Sequence, residues 1–254
     1  MNRRRLITLL GGVAGAGAIG ALAARAEQTP PIAASSLQKV PWPYRPLDPE
    51  MAAQRGFDGY YKGECMYGAF EAIVGQLVEQ LGAPYKDFPF WMMRYGAGGI
   101  KGWATVCGAL NGAAAATQLV SPDPDPVINA LFEWYEHAAL PNVTVKNAKF
   151  AEIRSVAQSP LCHISIHSWT KVAGKGPYSP ERAERCGRIA GSVARQTVLL
   201  LNAQAAGKPV TFALTAQTRG CMSCHEKGGA VENIRAKMDC NGCHAPQLAT
   251  HPKI

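Results

Sequence analysis

Cys221-Met222-Ser223-Cys224-His225 and Cys240-Asn241-Gly242-Cys243-His244 are the two stretches whose residue types and spacing dictate a chemistry. In each, two thiols are spaced to form thioethers with the two vinyl groups of one haem, and the adjoining imidazole can reach the iron from the same side. The reading is two haems c per chain, attached through Cys221, Cys224, Cys240 and Cys243, with His225 and His244 as proximal iron ligands. Zinc competes, because the same cysteines form a C-x2-C-x15-C-x2-C pattern within the spacing of a zinc ribbon. A ribbon needs no histidine behind either pair, and with 6 histidines in 254 residues two such placements argue for haem. Disulfides within each pair come third, since a two-residue loop between cysteines is usually a strained, reactive redox site.

His225 and Cys240 are so close in the chain that the two haems must be near neighbours. Electrons should pass between them readily, and the default role is electron storage or relay. His163 and His167, four residues apart in Cys162-His163-Ile164-Ser165-Ile166-His167, are candidate distal ligands on one helix face. His137 and His251 are weaker candidates, and Met222 and Met238 could also serve. Two histidine ligands per iron would give low potentials, because methionine is the ligand that raises them. Two other functions stay open: a small-molecule reductase using an iron with an open sixth position, and a redox sensor whose partner contacts follow oxidation state. No serine or carboxylate pair stands in a recognisable catalytic motif, and Gly96-Ala97-Gly98-Gly99 lacks the preceding strand of a nucleotide loop.

Cys65, Cys107, Cys162 and Cys186 are dispersed, with no CxxC pairing. They can be small buried hydrophobes, disulfide partners, or thiolates converging from distant segments on an iron–sulfur cluster.

The elements that must position these groups read as mainly α. Apolar residues recur at helical spacing in 60–81, 101–120, 126–140 and 180–206. The last is the clearest: Ser179 caps it, Pro180 opens it, Glu181 and Glu184 sit at its positive end, and Gly207 stands ready to end it. Only 143–145 and 210–214 suggest strands. The expected organisation is a helical cysteine-containing domain over 57–207, followed over 208–254 by a haem-binding segment of little regular structure. That segment is rich in glycine, cysteine and histidine and poor in large apolar residues, so it needs a cofactor to supply its core.

Residues 27–56 form a proline-rich arm, expected to be a solvated tail or to lie across a partner using Trp42 and Tyr44. Residues 1–26 have a basic start, a Gly/Ala-rich apolar middle and an Ala24-Arg25-Ala26 cleavage site, which marks an export signal. Arg3-Arg4-Arg5-Leu6-Ile7 resembles the twin-arginine motif of proteins exported already folded, so a periplasmic location is expected with no stable membrane insertion after signal removal. The formal charge of +8 comes from 26 basic and 18 acidic residues. Removing Arg3, Arg4, Arg5 and Arg25 leaves 22 against 18, or +4, which four haem propionates would bring to about zero. No basic stripe with interleaved aromatics points to nucleic acid.

The chain resembles the split-Soret cytochromes c and their haemless relatives, a redox family with scattered cysteines. The resemblance rests on Gly63-Glu64-Cys65, the Gly96–Gly99 turn, Val106-Cys107-Gly108-Ala109-Leu110-Asn111-Gly112-Ala113, Leu161-Cys162-His163-Ile164-Ser165, Cys186 and the two terminal motifs in that order. One departure is that the family's Gly-Cys-Ala reads Tyr67-Gly68-Ala69. The resemblance implies a mainly helical homodimer, stacked haems with paired-histidine ligation, an axial histidine contributed by a partner copy, and an iron–sulfur centre to which Cys65, Cys107, Cys162 and Cys186 would be ligands. Folded export fits such a centre, because iron–sulfur clusters are built in the cytoplasm whereas haem c is attached after export. Redox protein partners are expected, with no identity implied.

Overall fold

Asp48 starts the first helix by accepting hydrogen bonds from the backbone N–H groups of Glu50 (2.8 Å) and Met51 (3.1 Å). Pro49 occupies the first turn, where its missing N–H costs nothing. This helix, α1, spans Pro49–Leu81 and so begins well before Tyr60, inside the stretch expected to be an arm. The computed structural model describes residues 39–245 and residue 251; the export signal expected over 1–26 lies outside the described residues. Helix α1 is broken at Gly63 and Glu64, the latter with φ +70°. A non-glycine residue there costs about 1–3 kcal/mol and is held only by surrounding packing. The break falls immediately before Cys65.

The remaining helices are α2 (Gly108–Val120), α3 (Pro124–His137), α4 (Cys162–Ala173), α5 (Pro180–Ala205), α6 (Ala216–His225) and α7 (Asn241–His244). Two 3-10 turns, Tyr85–Asp87 and Phe90–Gly96, follow α1. The fold is mainly α, as the apolar periodicity predicts. Helix α5 begins as expected, with Ser179 accepting the Arg182 N–H at 3.2 Å. Its long apolar face packs on α1, and small residues set the approach. A Cβ on Gly191 would stand 2.4 Å from the Ala53 carbonyl oxygen, and one on Gly56 2.7 Å from that of Ala190. A side chain at either position would drive the two helices apart.

Three local expectations fail for identifiable reasons. Helix α2 starts at Gly108 rather than Lys101, because Gly98, Gly99, Ile100, Lys101, Gly102 and Ala104 all have positive φ, which a right-handed helix cannot contain. The two-residue strands are Ala139–Leu140 (β1) and Ser155–Val156 (β2), paired antiparallel; 143–145 and 210–214 find no strand partner. The arm is neither a loose tail nor free for a partner over residues 39–48. Trp42 donates its backbone N–H to the Leu119 carbonyl at 2.7 Å, and its ring packs edge-on against Tyr85 and Phe88. Tyr44 donates its hydroxyl to Asn202 Oδ1 at 2.7 Å, and Asn202 also holds both backbone groups of Leu47. Among the described residues no helix is long and apolar enough to cross a membrane.

Candidate redox centres

The chain brings its four dispersed cysteines together. Cys65 follows the break in α1, Cys107 stands at the N-terminal boundary of α2, Cys162 opens α4 and Cys186 lies nearly two turns into α5. All four are buried and none is in a disulfide. Their thiols are near enough to interact: charge on Cys107, Cys162 or Cys186 acts on Cys65, and charge on Cys186 also acts on Cys107 and Cys162. The neighbouring Cys65 thiol, together with the positive charges of Arg185 and Arg182, outweighs burial and pushes the Cys186 thiol down to about 6. The neighbouring Cys186 thiol, reinforced by burial, pushes Cys65 well up. Burial raises Cys107 and takes Cys162 up to about 12. One thiolate is thus stabilised beside three thiols, a polarised set.

The cations belong to the same turns of α5. Arg182 donates from Nη1 towards Cys186 Sγ at 3.9 Å. Arg185, 4% exposed, donates from Nη2 to the Ser165 carbonyl (3.1 Å) and hydroxyl (2.9 Å), while its buried Nε has no acceptor. Tyr135 of α3 donates its hydroxyl to Ser165 Oγ at 2.9 Å and lies near enough to Cys107 for charge on that thiol to act on it. A cavity of about 510 Å³ reaches Cys65, Cys162 and Cys186 past Lys101, Arg182 and the exposed Tyr178. Among the described residues, no three His, Cys, Asp or Glu side chains stand close enough to grip a single metal ion. The four soft thiols, one ionised, with two guanidiniums alongside, instead suit a negatively charged polynuclear iron–sulfur group, which spans more than one ion.

The two CxxCH motifs also meet. Cys221, Cys224 and His225 occupy the last turns of α6; Cys240 caps α7, which carries Cys243 and His244. Burial, followed by the neighbouring Cys221 thiol, raises the Cys240 thiol. Asn241 donates its side-chain amide to Gln217 Oε1, a tie between α7 and α6. Over 208–245 only Thr218 and Met222 are buried, so this segment has almost no core of its own. It borders a cavity of about 850 Å³ walled by Phe212, Leu214, Met222 and Ile234, with Lys227, Arg235 and Lys237 and the carboxylates Glu226 and Glu232 also lining it. An apolar wall with cations beside it can take a porphyrin and pair with its propionates, although Glu226 and Glu232 leave the lining only one positive charge in excess. The Nδ1 of His225 is 2.8 Å from Asn233 Oδ1, which would leave Nε2 for a metal.

The candidate distal ligands are placed elsewhere. His163 and His167 do lie on one face of α4, with rings nearly parallel and centroids 6.3 Å apart. Both are exposed, and neither lines the cavity beside the motifs. The imidazole that reaches a motif is His251, whose ring lies 5.8 Å from that of His225; His137 is exposed at the end of α3. Arg182, Arg185, Tyr135 and Ser165 were not among the expected site residues, although Arg182-x-x-Arg185-Cys186 places two cations on the cysteine's own helix.

Residues 67–200 match the family described as "Putative redox-active protein (C_GCAxxG_C_C)". The split-Soret cytochrome c of Desulfovibrio desulfuricans is 38% identical over the whole of this chain and 98% of its own length. This chain belongs to the split-Soret cytochrome c family. A solved structure of the D. desulfuricans cytochrome, described as containing a novel iron centre, superposes with a TM-score of 0.77 over 84% of this chain and 93% of that one, again at 38% identity. Membership of the split-Soret cytochromes c establishes a redox role. At Gly68, in Tyr67-Gly68-Ala69, a Cβ would lie 2.7 Å from both the Gly56 carbonyl oxygen and the Tyr60 nitrogen. The backbone of α1 closes the space a side chain would need.

Proposed function

We propose that this split-Soret family member is an exported, periplasmic electron-transfer protein with two haems c and an iron–sulfur centre per chain. The observation that carries this reading is the meeting of the two CxxCH helices, tied by the Asn241–Gln217 hydrogen bond, on a segment with almost no core of its own. Cys221 and Cys224 would hold one haem and Cys240 and Cys243 the other, with His225 and His244 as proximal ligands. Each haem, when bound, supplies an iron that gains and loses one electron. Asn233 fixes the His225 tautomer, Met222 and Phe212 exclude water from one wall, and Lys227, Arg235 and Lys237 offer cationic partners for propionates.

Cys65, Cys107, Cys162 and Cys186 would hold the iron–sulfur centre. Arg182 and Arg185 stabilise the thiolate form of Cys186, and Tyr135 steadies Cys107. His163 and His167, exposed side by side on α4, are available as distal ligands to a second copy in a homodimer. The twin-arginine-like Arg3-Arg4-Arg5 supports folded export with the cysteine centre already assembled.

Mass spectrometry of proteolytic peptides tests the haem assignment: the peptides bearing Cys221–His225 and Cys240–His244 should each carry the added mass of one haem. Peptides of unmodified mass, with zinc in the intact protein, would replace the reading with a ribbon. Cell fractionation tests export. Replacing Arg3, Arg4 and Arg5 by lysine should leave unexported precursor in the cytoplasm, whereas unchanged export would remove the twin-arginine route.

A further inference from the structure

Two polar bridges lead from the cysteine cluster to the Cys240 motif. In the first, Cys107 lies near enough to Tyr135 for its charge to act on the phenol, the next residue is Glu136, and Glu136 Oε1 accepts the Asp239 N–H at 3.1 Å. Asp239 is bonded directly to Cys240. In the second, Cys162 follows Leu161, whose N–H donates to Ser159 Oγ at 3.2 Å; that hydroxyl donates to Met238 Sδ at 3.6 Å. Met238 is two residues from Cys240. The bridges are tied to each other, because the Glu136 carbonyl accepts the Gln158 N–H at 2.8 Å. Gly242 of the motif lies so close that a Cβ on it would be 2.6 Å from the Gln158 carbonyl oxygen.

Helix α6, with the other motif, has no equivalent link. The hydrogen bonds of its residues, among the described residues, stay within 208–245: Thr215 caps it, Gln217 meets Asn241, and His225 meets Asn233. An electron tunnels farther for a given loss of rate through covalent and hydrogen bonds than across a gap, so the two motifs are not equivalent with respect to the cysteine cluster.

We infer that Tyr135–Glu136 and Ser159–Met238 form the port through which the four-cysteine centre exchanges electrons with the Cys240–His244 motif, leaving the Cys221–His225 motif as the outer station. This rests on the proposed haem and iron–sulfur assignments. The step moves one electron from the reduced iron–sulfur centre to a ferric haem; no bond forms or breaks and no proton moves. Glu136 and Ser159 are positioning residues in this scheme, because they hold the chain segments in contact and bind no metal themselves.

Flash reduction of the full-length, fully loaded protein tests the port, with electron redistribution between non-haem iron and haem followed by absorbance. Haem and non-haem iron are counted in every sample. Glu136→Leu combined with Ser159→Ala should slow redistribution with haem and iron contents unchanged. Glu136→Gln alone, which keeps a carbonyl acceptor for the Asp239 N–H, should leave the rate close to that of the natural protein. Ser159→Ala alone removes one hydroxyl and leaves every backbone group in place, and should give an intermediate slowing, so the test does not depend on the double variant folding. Unchanged rates in loaded Ser159→Ala and in the double variant would overturn the port while leaving the cofactor assignment intact. A natural protein that holds two haems and no non-haem iron would overturn both.

Discussion

Val106 and Leu161 pair as an isolated antiparallel bridge, which sets Cys107 opposite Pro160 and Cys162 opposite Thr105, so that the two cysteines flank the bridge. The Cys107 N–H donates to the Pro160 carbonyl at 2.8 Å and the Cys162 N–H to the Thr105 carbonyl at 2.7 Å. Two helix starts from distant parts of the chain are thereby clamped together beneath the α1–α5 crossing that delivers Cys65 and Cys186. The cluster is a product of backbone pairing, and its members should act as a set.

Single Cys107→Ser and Cys162→Ser variants should therefore lose the non-haem iron and keep two haems per chain. Iron analysis beside a haem assay checks this. Loss of haem together with the iron would mean that these cysteines support the C-terminal segment instead.

Cys186 should be the reactive thiol once iron is removed. The Cys65 thiol and the charges of Arg185 and Arg182 hold its titration near 6, and the cavity past Lys101 and Tyr178 gives a small reagent access. Its alkylation rate under reducing conditions, followed by peptide mass, should rise through about pH 6 and level off, with Cys65 and Cys162 unreactive until far higher pH. Arg182→Gln should move the Cys186 profile upward.

The charged knot that fixes the start of α5 makes a separate prediction about stability. Glu184 accepts the N–H groups of Lys149 (2.6 Å) and Phe150 (3.1 Å) and pairs with Arg188 at 2.9 Å, and Arg188 also reaches Glu152. Burial alone would raise the Glu184 carboxyl, but these donors outweigh it and hold it below the usual carboxylate range. A carboxyl lowered on folding contributes stability above its unfolded value, near pH 4.3, and loses it as pH falls through the folded value. Glu184→Gln should cost about 2 kcal/mol at neutral pH. In denaturant unfolding, that difference should shrink as pH falls below about 4.

The C-terminal segment should be ordered only with its haems. Replacing Cys221, Cys224, Cys240 and Cys243 by alanine prevents attachment, and with only Thr218 and Met222 buried over 208–245 the segment should be cut rapidly by protease. The body from Lys39 to Ala205 should survive as a resistant fragment. Equal resistance with and without haem would show that the segment folds on its own.

What the sequence makes legible is local. The CxxCH motifs declare their chemistry because ligand spacing and reaction partner lie within five residues, and α5 is announced by Ser179, Pro180 and Gly207 within a few residues of its ends. The convergence of Cys65, Cys107, Cys162 and Cys186 is of another kind: it depends on the Gly56–Ala190 and Ala53–Gly191 contacts and on the Val106–Leu161 bridge, none of which leaves a periodic trace. Helix α1 is masked at its start because Pro46 and Pro49 read as breakers, although Pro49 sits where a helix tolerates it. The loop before α2 was invisible for the opposite reason, since Ile100, Lys101 and Ala104 adopt left-handed backbone with side chains that do not advertise it. Arg185 could be read only as one more helix-face cation until Ser165 and the thiols were placed around it.

Low-temperature electron paramagnetic resonance of anaerobically purified protein, oxidised and then reduced, with iron and haem counted per chain, bears most directly on the proposal that the two CxxCH motifs hold haem and the four buried cysteines hold iron and sulfide. Two low-spin haem signals per chain, iron in excess of haem, and a cluster signal abolished by Cys107→Ser are expected. Iron equal to haem, with no cluster signal in either state, would contradict the account and leave the four cysteines as packing.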